Sequence, residues 1–258
     1  SVIAFAQTVN FPITSSFKFT SSRPSNFHLD KRSLLQCRAE ASSMVKEGAK
    51  EASENMVYPD LCVFDLDACL WDQEMFEMSE IPTKKVMGDL NGRGQGVTGV
   101  MSGHDKISLH AGALLALQDH HDGKHGGMKI AVASSADTPF AVQVGRKALT
   151  MLEVVPGVTV WELLLRDWDG KDVNQIGRTP PLSSDKSATH FPRLREATGI
   201  PFDKMLFFDD CNWGDHCTRV SQRCKEDNGQ GVIAHKTPNG LGINEWKAGL
   251  KKYAEARK

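Results

Sequence analysis

The most constraining feature of the chain is an apolar run at residues 61–64, Leu-Cys-Val-Phe, that ends in Asp65 and Asp67. A short, uninterrupted apolar run is typical of a buried strand. On a strand, residues two positions apart point to the same face, so the two carboxylates would lie side by side. Like charges this close repel unless a cation is present or the two groups differ in role. The alternative is a buried strand that ends in an acidic turn.

A second apolar run, residues 204–208, also ends in acids, because Asp209 and Asp210 follow it directly and Asp215 lies five residues further on. In open α/β sheets, ligands bind at the carboxyl ends of parallel strands. If both runs are parallel strands, their acidic residues meet at one edge of the sheet.

A third run, residues 129–133, is followed by Ser134 and Ser135. Mg²⁺ prefers carboxylate oxygens and is usually bound by one or two carboxylates together with a substrate phosphate. Acids at the ends of two strands and hydroxyls at the end of a third therefore predict a site for Mg²⁺ and phosphate. A serine after a strand is more often simply a helix cap, and that interpretation stays open for Ser134.

The predicted fold is α/β, a doubly wound parallel sheet, because strand patterns alternate with helix patterns. The loop-rich stretch 72–106, with a turn or flap at 91–96, leaves room for a minimal cap only. Residues 166–185 form a polar loop. The predicted strands are 60–66, 128–134, 158–165, 204–208 and 231–234, and the predicted helices are 110–120, 136–152, 187–198 and 244–256.

The order of these motifs resembles the haloacid dehalogenase-like (HAD) phosphohydrolases. The resemblance rests on Asp65-Leu66-Asp67, Ser134, a lysine and the late acidic pair, and it covers roughly residues 58–253. It narrows to the magnesium-dependent phosphatase family, which is acid phosphatase-like. The additional matching segments are Leu70-Trp71, Lys186, Thr189-His190-Phe191, Thr198-Gly199-Ile200-Pro201-Phe202 and Phe207-Phe208-Asp209-Asp210.

The resemblance implies a phosphoric monoester hydrolase that forms an aspartyl-phosphate. Asp65 falls at the position of the nucleophile, and a covalent intermediate would split hydrolysis into two easier steps. Asp67 falls at the position of the general acid and base. The implied Mg²⁺ ligands are Asp65, Asp67 through its backbone carbonyl, and Asp210.

The resemblance also assigns residues to the phosphate. Ser134 and Ser135 are the candidates for binding it, and Lys186 is the candidate for stabilising its charge. Because the spacing around the lysine is one residue longer than the family pattern, Lys171 and Lys204 remain alternatives. Asp209 and Asp215 are secondary candidates for metal contacts through water.

Two segments depart from the family pattern. Cys69 replaces a threonine, which predicts a looser turn after the first strand because a thiol is a weak hydrogen-bond donor. Residues 211–214, Cys-Asn-Trp-Gly, replace a more polar stretch. Cys211, His216 and Cys217 fit no structural zinc pattern well, so buried inert thiols are the preferred interpretation.

Charge and composition restrict the partners. The formal net charge is −1 over 258 residues, which gives no basic field for nucleic acid. No apolar run approaches the roughly 18 residues that a membrane span requires. The six cysteines contain no C-x-x-C pair, as in reduced compartments. The expected partner is a small phosphorylated substrate or a phosphotyrosine-bearing protein, without nucleic acid or membrane. The oligomeric state is not indicated.

The N-terminal segment predicts organelle targeting. The first acidic residue is Asp30, and the preceding segment is rich in hydroxyls with scattered Lys and Arg. Residues 3–7 also resemble the Ala-Phe-Ala-Pro junction of algal plastid presequences, with Gln7 in place of Pro. We expect a disordered transit segment at 1–38, a linker at 39–57 and the HAD-like domain at 58–258. The expected location is a plastid, otherwise the cytoplasm.

Three functions remain open from the sequence. The preferred one is Mg²⁺-dependent hydrolysis of phosphotyrosine- or phosphosugar-type monoesters. A phosphoprotein phosphatase of the polymerase-tail type shares the D-x-D motif and the late acidic pair. Leu70-Trp71 and the Thr-His-Phe segment favour the magnesium-dependent phosphatase family instead. A catalytically idle HAD scaffold that acts as an interaction module is disfavoured, because both Asp65 and Asp67 are present.

Overall fold

The computed structural model of the chain describes residues 56–258. The predicted targeting segment at 1–38 and nearly all of the predicted linker at 39–57 lie outside the described residues. The described part begins just before the predicted HAD-like domain.

A parallel sheet of five strands forms the centre of the fold, in the order β10-β9-β1-β5-β8. The strands of the described part are β1 (Leu61–Phe64), β2 (Lys84–Asp89), β3 (Gln95–Ser102), β4 (Asp105–Ser108), β5 (Lys129–Ser134), β6 (Glu153–Val155), β7 (Val158–Thr159), β8 (Gln175–Ile176), β9 (Met205–Asp209) and β10 (Ile233–Lys236). Its helices are α1 (Ala111–His121), α2 (Pro139–Leu149), α3 (Val160–Arg166), α4 (His190–Thr198), α5 (His216–Arg223) and α6 (Ile243–Ala256). The predicted α/β fold with a parallel sheet is confirmed.

Both faces of the sheet are buried, as a doubly wound sheet requires. Along β1, Cys62 and Phe64 join the larger core, which also holds side chains from α1, α2, α3 and α6. Leu61 and Val63 point to the opposite face and join a smaller core with α4 and α5. Burial on both faces explains why the strand reads as an uninterrupted apolar run.

The stretch 72–106 differs from the prediction that it is loop-rich. Most of it forms an antiparallel sheet in the order β2-β3-β4. Its apolar side chains Val97, Val100 and Ile107 pack into the larger core. The turn predicted at 91–96 is present in part, since residues 91–93 form the turn that joins β2 to β3.

The predicted strand at 158–165 is wrong beyond its first two residues. After β7 the chain forms α3, and a capping box begins the helix: Thr159 Oγ1 accepts the Glu162 N–H, and the Glu162 carboxylate accepts the Thr159 N–H. This reciprocal pair satisfies two helix N–H groups, which outweighs the strand preference of the valines. Outside the stretch 72–106, the structure also adds three strands or α-helices that were not predicted, namely β6, β8 within the polar loop, and α5.

The remaining elements agree with the predictions to within a few residues. Helix α2 begins with a side-chain cap, because Thr138 Oγ1 accepts the Ala141 N–H and Pro139 opens the helix. Among the described residues, no helix has the length and apolarity needed to cross a bilayer.

Gly112 in α1 tests how tightly the helix packs against the chain before α6. A Cβ atom at Gly112 would overlap the backbone carbonyls of Leu241 and Gly242, whereas one at Gly145 would meet the flexible end of Met75. We expect Gly112→Ala to lower the free energy of unfolding by about 1–3 kcal/mol, because backbone atoms cannot move aside easily. Urea denaturation should show a smaller loss for Gly145→Ala. A Gly112→Ala protein as stable as the wild type would contradict this packing.

Candidate active site

Strand register brings the predicted acidic residues together at the carboxyl end of the sheet. Phe64 pairs with Phe208 on β9 and with Val132 on β5. The Asp65 N–H donates to the Phe208 carbonyl at 2.9 Å, which continues the ladder one residue further. Asp65 therefore lies beside Asp209, the last residue of β9, as expected for parallel strands whose apolar runs end in acids.

Lys186 lies between two of these carboxylates. Its Nζ is 2.8 Å from Asp65 Oδ2 and 2.7 Å from Asp209 Oδ2, and only 1% of its side chain is exposed. Burial would lower the pKa of this ammonium, but Asp209 and Asp65 outweigh burial and raise it. The lysine is therefore charged, and the structure brings Lys186, rather than Lys171 or Lys204, to the acidic pair.

Asp65, Asp209 and Asp210 form a compact carboxylate cluster, in which one oxygen from each residue lies within 4.8 Å of the other two. When all three carboxylates are ionised, three negative charges face the single positive charge of Lys186, and two buried negative charges remain uncompensated. Burial raises the pKa of Asp65 and of Asp210. Burial also opposes ionisation of Asp209, but Lys186 outweighs it and lowers its pKa. Oxygen donors with an uncompensated double charge fit a hard divalent cation such as Mg²⁺.

Asp67 faces the same cavity but has a different environment. Its Oδ1 accepts the indole N–H of Trp71 at 3.0 Å, and its Oδ2 accepts the Met75 N–H at 3.1 Å. Burial raises the pKa of Asp67 to about 7, despite these two hydrogen bonds. A carboxyl group that both releases and accepts a proton near neutral pH is suited to acid–base catalysis.

The turn after β1 is well bonded, although Cys69 was expected to loosen it. The N–H groups of Cys69 and Leu70 both donate to the Leu66 carbonyl, at 3.3 and 2.8 Å. Thr237 Oγ1–H donates to Cys69 Sγ at 3.3 Å, so the buried thiol serves as an acceptor. The weak donor strength of the thiol is therefore immaterial here, and the prediction of a loose turn is wrong.

A cavity of about 440 Å³ opens over the carboxyl groups of Asp65, Asp67 and Asp210. Ser134 and Ser135 line it beside Asp65, Asp67 and Asp210, so the structure brings the predicted phosphate-binding hydroxyls to the acidic edge. The cavity also contains residues that the sequence reasoning missed, namely Glu74, Phe76, Ala136, Asp137, Arg178, Trp213 and His216. They lie mostly in loops beyond the carboxyl ends of the strands, and that position is the one signal that could have found them.

An aromatic pair forms the outer wall of the cavity. Trp213 is 78% exposed, and its ring meets Phe76 edge to face at 6.0 Å between centroids. Its indole N–H donates to Glu74 Oε1 at 3.0 Å, which fixes the orientation of the ring. On another side, Arg178 pairs with Asp137 at 3.3 Å. An exposed, oriented indole is a surface for a ring or other planar group.

Asp215 is the one acidic candidate that the structure does not bring to the site. Its Oδ1 caps α5 by accepting the Thr218 N–H at 3.0 Å, and it lies 3.0 Å from Lys236 Nζ. It does not line the cavity. Its closeness in sequence to the acidic pair suggested a role in metal binding, but in the structure its carboxylate caps the start of α5.

The cysteines near the site form no metal centre in the described part of the chain. Within residues 56–258, the carboxylate cluster is the single group of three or more His, Cys, Asp or Glu side chains with metal-binding geometry. Cys217 is buried, and its N–H donates to Cys211 Sγ at 3.5 Å. All five cysteines in this range are free thiols. Four of them are buried, and Cys211 is partly exposed.

His190, from the Thr-His-Phe segment, is fully buried behind the edge of the sheet that carries Ser134. Its Nε2 lies 3.1 Å from the Ser134 carbonyl oxygen and 3.0 Å from that of Gly177. Burial, with a further contribution from the charge of Lys186, lowers the pKa of His190 to about 4. The imidazole is therefore neutral at physiological pH.

Fold and site together define a class: an α/β domain with a buried carboxylate–lysine cluster and serine hydroxyls at the carboxyl ends of its parallel strands. Comparison with known proteins identifies the family within this class. The sequence pattern of the family described as Acid Phosphatase matches residues 57–256, and the chain belongs to this family. The resemblance inferred from the motifs is thus confirmed at the level of the family.

Two of the matching proteins illustrate the similarity. Magnesium-dependent phosphatase 1 of Homo sapiens is 33% identical over 69 residues, which is 27% of this chain and 34% of that protein. The alignment thus spans about a third of the length of this curated relative. A crystal structure of the N-terminal part of a Bacteroides fragilis protein, containing a phosphatase domain complexed with Mg, superposes with a TM-score of 0.44 at 15% identity. It covers 78% of this chain and 42% of that chain.

The depressed pKa of His190 predicts acid sensitivity of the fold. A histidine with a folded pKa of about 4 and an ordinary value of 6.5 binds fewer protons when folded. The neutral histidine therefore contributes about 3 kcal/mol to the free energy of unfolding. This contribution is complete above pH 6.5 and is lost as the pH falls towards 4. Lys186 and His216 face it and, when charged, further disfavour its protonation.

The control for this effect is His190→Gln, which removes the titration but keeps a polar side chain. Urea denaturation between about pH 7.5 and 4.5 should show the wild type losing roughly 2–3 kcal/mol more than the variant. A difference between the two proteins that is constant over this range would contradict the prediction.

Proposed function

We propose that this protein is a Mg²⁺-dependent phosphatase that hydrolyses phosphate monoesters through a phospho-aspartate on Asp65. The observation that carries the proposal is the position of Asp65. It is buried at the base of an open cavity, its carboxylate is 2.8 Å from the Lys186 ammonium, and serine hydroxyls line the same wall. Family membership supports the reaction class, and the name of the human relative supports the metal.

Asp65 and Asp210 would hold the Mg²⁺, together with the backbone carbonyl of Asp67. Asp209 belongs to the same cluster, although its carboxylate is already bonded to Lys186. When bound, Mg²⁺ would neutralise charge on the phosphate and on the attacking carboxylate, which otherwise repel each other.

In the first half-reaction, an Asp65 carboxylate oxygen bonds to phosphorus, and the bond from phosphorus to the ester oxygen breaks. Asp67 donates a proton to that leaving oxygen. Lys186 and the Ser134 hydroxyl stabilise charge on the phosphoryl oxygens. In the second half-reaction, Asp67 takes a proton from water, which attacks phosphorus and releases inorganic phosphate from Asp65.

For the leaving group, we propose a ring, as in phosphotyrosine or a phosphosugar. Phe76 and Trp213 support this choice because their rings form an exposed wall next to the acidic base of the cavity. Aromatic rings pack against planar leaving groups, and the C–H faces of sugars are also apolar enough to pack on them. Arg178 adds a cation that can contact a second polar group of the substrate.

The first test combines metal and covalent chemistry in one assay. With p-nitrophenyl phosphate, turnover should disappear after chelation and return with Mg²⁺, because two buried negative charges otherwise remain uncompensated. Asp65→Asn should abolish turnover, because an amide is a poor nucleophile. Asp67→Asn should slow both half-reactions and accumulate a phosphoryl group on Asp65, detected by mass spectrometry.

Two results would count against the mechanism. One is unchanged turnover after exhaustive chelation. The other is a stable phosphoryl group on a residue other than Asp65 in the Asp67→Asn protein. The Asp65→Asn protein is the matched control, because it keeps the shape of the site and lacks the proposed acceptor.

The second test concerns the aromatic wall. Trp213→Ala should lower kcat/KM for phosphotyrosine or p-nitrophenyl phosphate by about 3- to 10-fold, since aromatic contacts are worth roughly 0.5–1.5 kcal/mol. It should leave glycerol 2-phosphate, which has no ring, nearly unaffected. Trp213→Phe, which keeps a ring, should retain most of the preference. Equal losses on both kinds of substrate would remove the wall from substrate selection.

A further inference from the structure

We propose that His190 is a positioning residue that connects the phosphate-binding end of β5 to the segment that carries Lys186. The inference rests on the proposed phosphatase function, because it concerns how Ser134 and Lys186 are held for the same phosphate. His190 itself is fully buried and is not among the residues that line the cavity.

The contacts of Nε2 fix which ring nitrogen carries the proton. Both of its partners are carbonyl oxygens, those of Ser134 at 3.1 Å and Gly177 at 3.0 Å. A carbonyl can only accept, so Nε2 must be the protonated nitrogen, shared between the two oxygens. Nδ1 is then the acceptor, and Thr189 Oγ1 lies 3.1 Å from it.

The position that Nε2 contacts is a weak point of the sheet. β8 is only two residues long and pairs with Ala133 and Ser134 of β5. The Gly177 N–H adds one more bond to the Ser134 carbonyl at 2.8 Å, and Gly177 then turns the chain with φ = 126°. Arg178, the next residue, lines the cavity. Nε2–H therefore ties together two strand ends, both of which continue into cavity residues.

The residue after His190 contacts the segment that carries Lys186. His190 is the first residue of α4, and the N–H of the next residue, Phe191, donates to the Lys186 carbonyl at 3.0 Å. Phe191 packs edge to face on Phe207 at 4.9 Å, and Lys186 Nζ lies over the same Phe207 ring at 5.6 Å. The start of α4 thus supports Lys186 in two ways, through a backbone hydrogen bond and through the shared Phe207 ring.

These contacts give the Thr-His-Phe segment a physical purpose. The histidine bonds to the carbonyls of Ser134 and of Gly177, the residue before Arg178. The phenylalanine packs on Phe207, the ring over which the lysine ammonium lies. Ser134 and Lys186 come from separate elements, and both must reach one phosphoryl group. Because a misplacement of about 1 Å can reduce turnover about 100-fold, a buried bond between the two elements has a direct catalytic effect.

The test compares His190→Phe with His190→Gln. Phenylalanine keeps the ring but has no donor, whereas the amide nitrogen of glutamine can reach nearly the same point as Nε2. With Mg²⁺ and p-nitrophenyl phosphate, His190→Phe should lower kcat/KM by about 10- to 100-fold. Its KM and its inhibition constant for inorganic phosphate should rise together, because Ser134 is displaced. His190→Gln should recover most of this loss.

A third variant, His104→Gln, is the matched control, because His104 is an exposed histidine in the turn between β3 and β4. It should behave as the wild type. A readout that does not depend on activity is ¹⁵N NMR of the ring nitrogens. The structure requires the Nε2–H tautomer for His190 over the whole neutral range, with a slowly exchanging ring proton.

Two outcomes would overturn the inference. One is a folded His190→Phe protein with wild-type KM and phosphate inhibition. The other is an Nδ1–H tautomer in the NMR spectrum of the wild-type protein. This second test can be made even if the phenylalanine variant does not fold. A wild-type protein without Mg²⁺-dependent activity would instead refute the proposed function, and the NMR result would still decide the tautomer and its hydrogen bonds.

Discussion

The ion pair that Lys186 makes with Asp65 and Asp209 is the interaction on which the rest of the site depends. Its ammonium lies 2.8 and 2.7 Å from the two carboxylates and is almost completely buried. Removing one partner of a buried ion pair costs several kcal/mol, because the remaining charge is left unpaired. The lysine therefore cannot be lost without disturbing both strand ends, while the charge that it leaves uncompensated creates the demand for a divalent cation.

The parallel sheet makes this ion pair possible. Because both faces of β1 and β9 are packed, a slip by one residue would exchange the side chains that fill the larger and the smaller core and would draw an aspartate into the apolar part of the sheet. The register fixes Asp65 beside Asp209, and the same constraint aligns β5 so that Ser134 faces them. Chemistry at the edge of the sheet is thus set by apolar packing within it, several residues away from any functional group.

This dependence explains what could be predicted from the sequence. Asp65, Ser134 and Asp209 were found because each ends an apolar run, a local signal that the fold turns into proximity. Trp213, Phe76 and Arg178 were missed because they lie in loops whose approach depends on tertiary contacts, such as the Trp213–Glu74 hydrogen bond. The strand predicted at 158–165 failed for a different reason: the capping box of α3 outweighed an apolar run that fits a strand or a buried helix equally well.

The loop after β9 links the chemistry of the site to its outer wall. The Cys211 N–H donates to Asp209 Oδ1 at 2.8 Å, and the Asn212 N–H donates to Asp210 Oδ2 at 2.7 Å. These bonds accompany a positive φ of 61° at Cys211, which reverses the chain just before Trp213. The carboxylates of the cluster thus use part of their acceptor capacity to shape the loop that presents the indole. Replacement of the usual polar stretch by Cys-Asn-Trp-Gly can change the outer wall while leaving the acidic base of the cavity intact, because the loop is held through its backbone N–H groups.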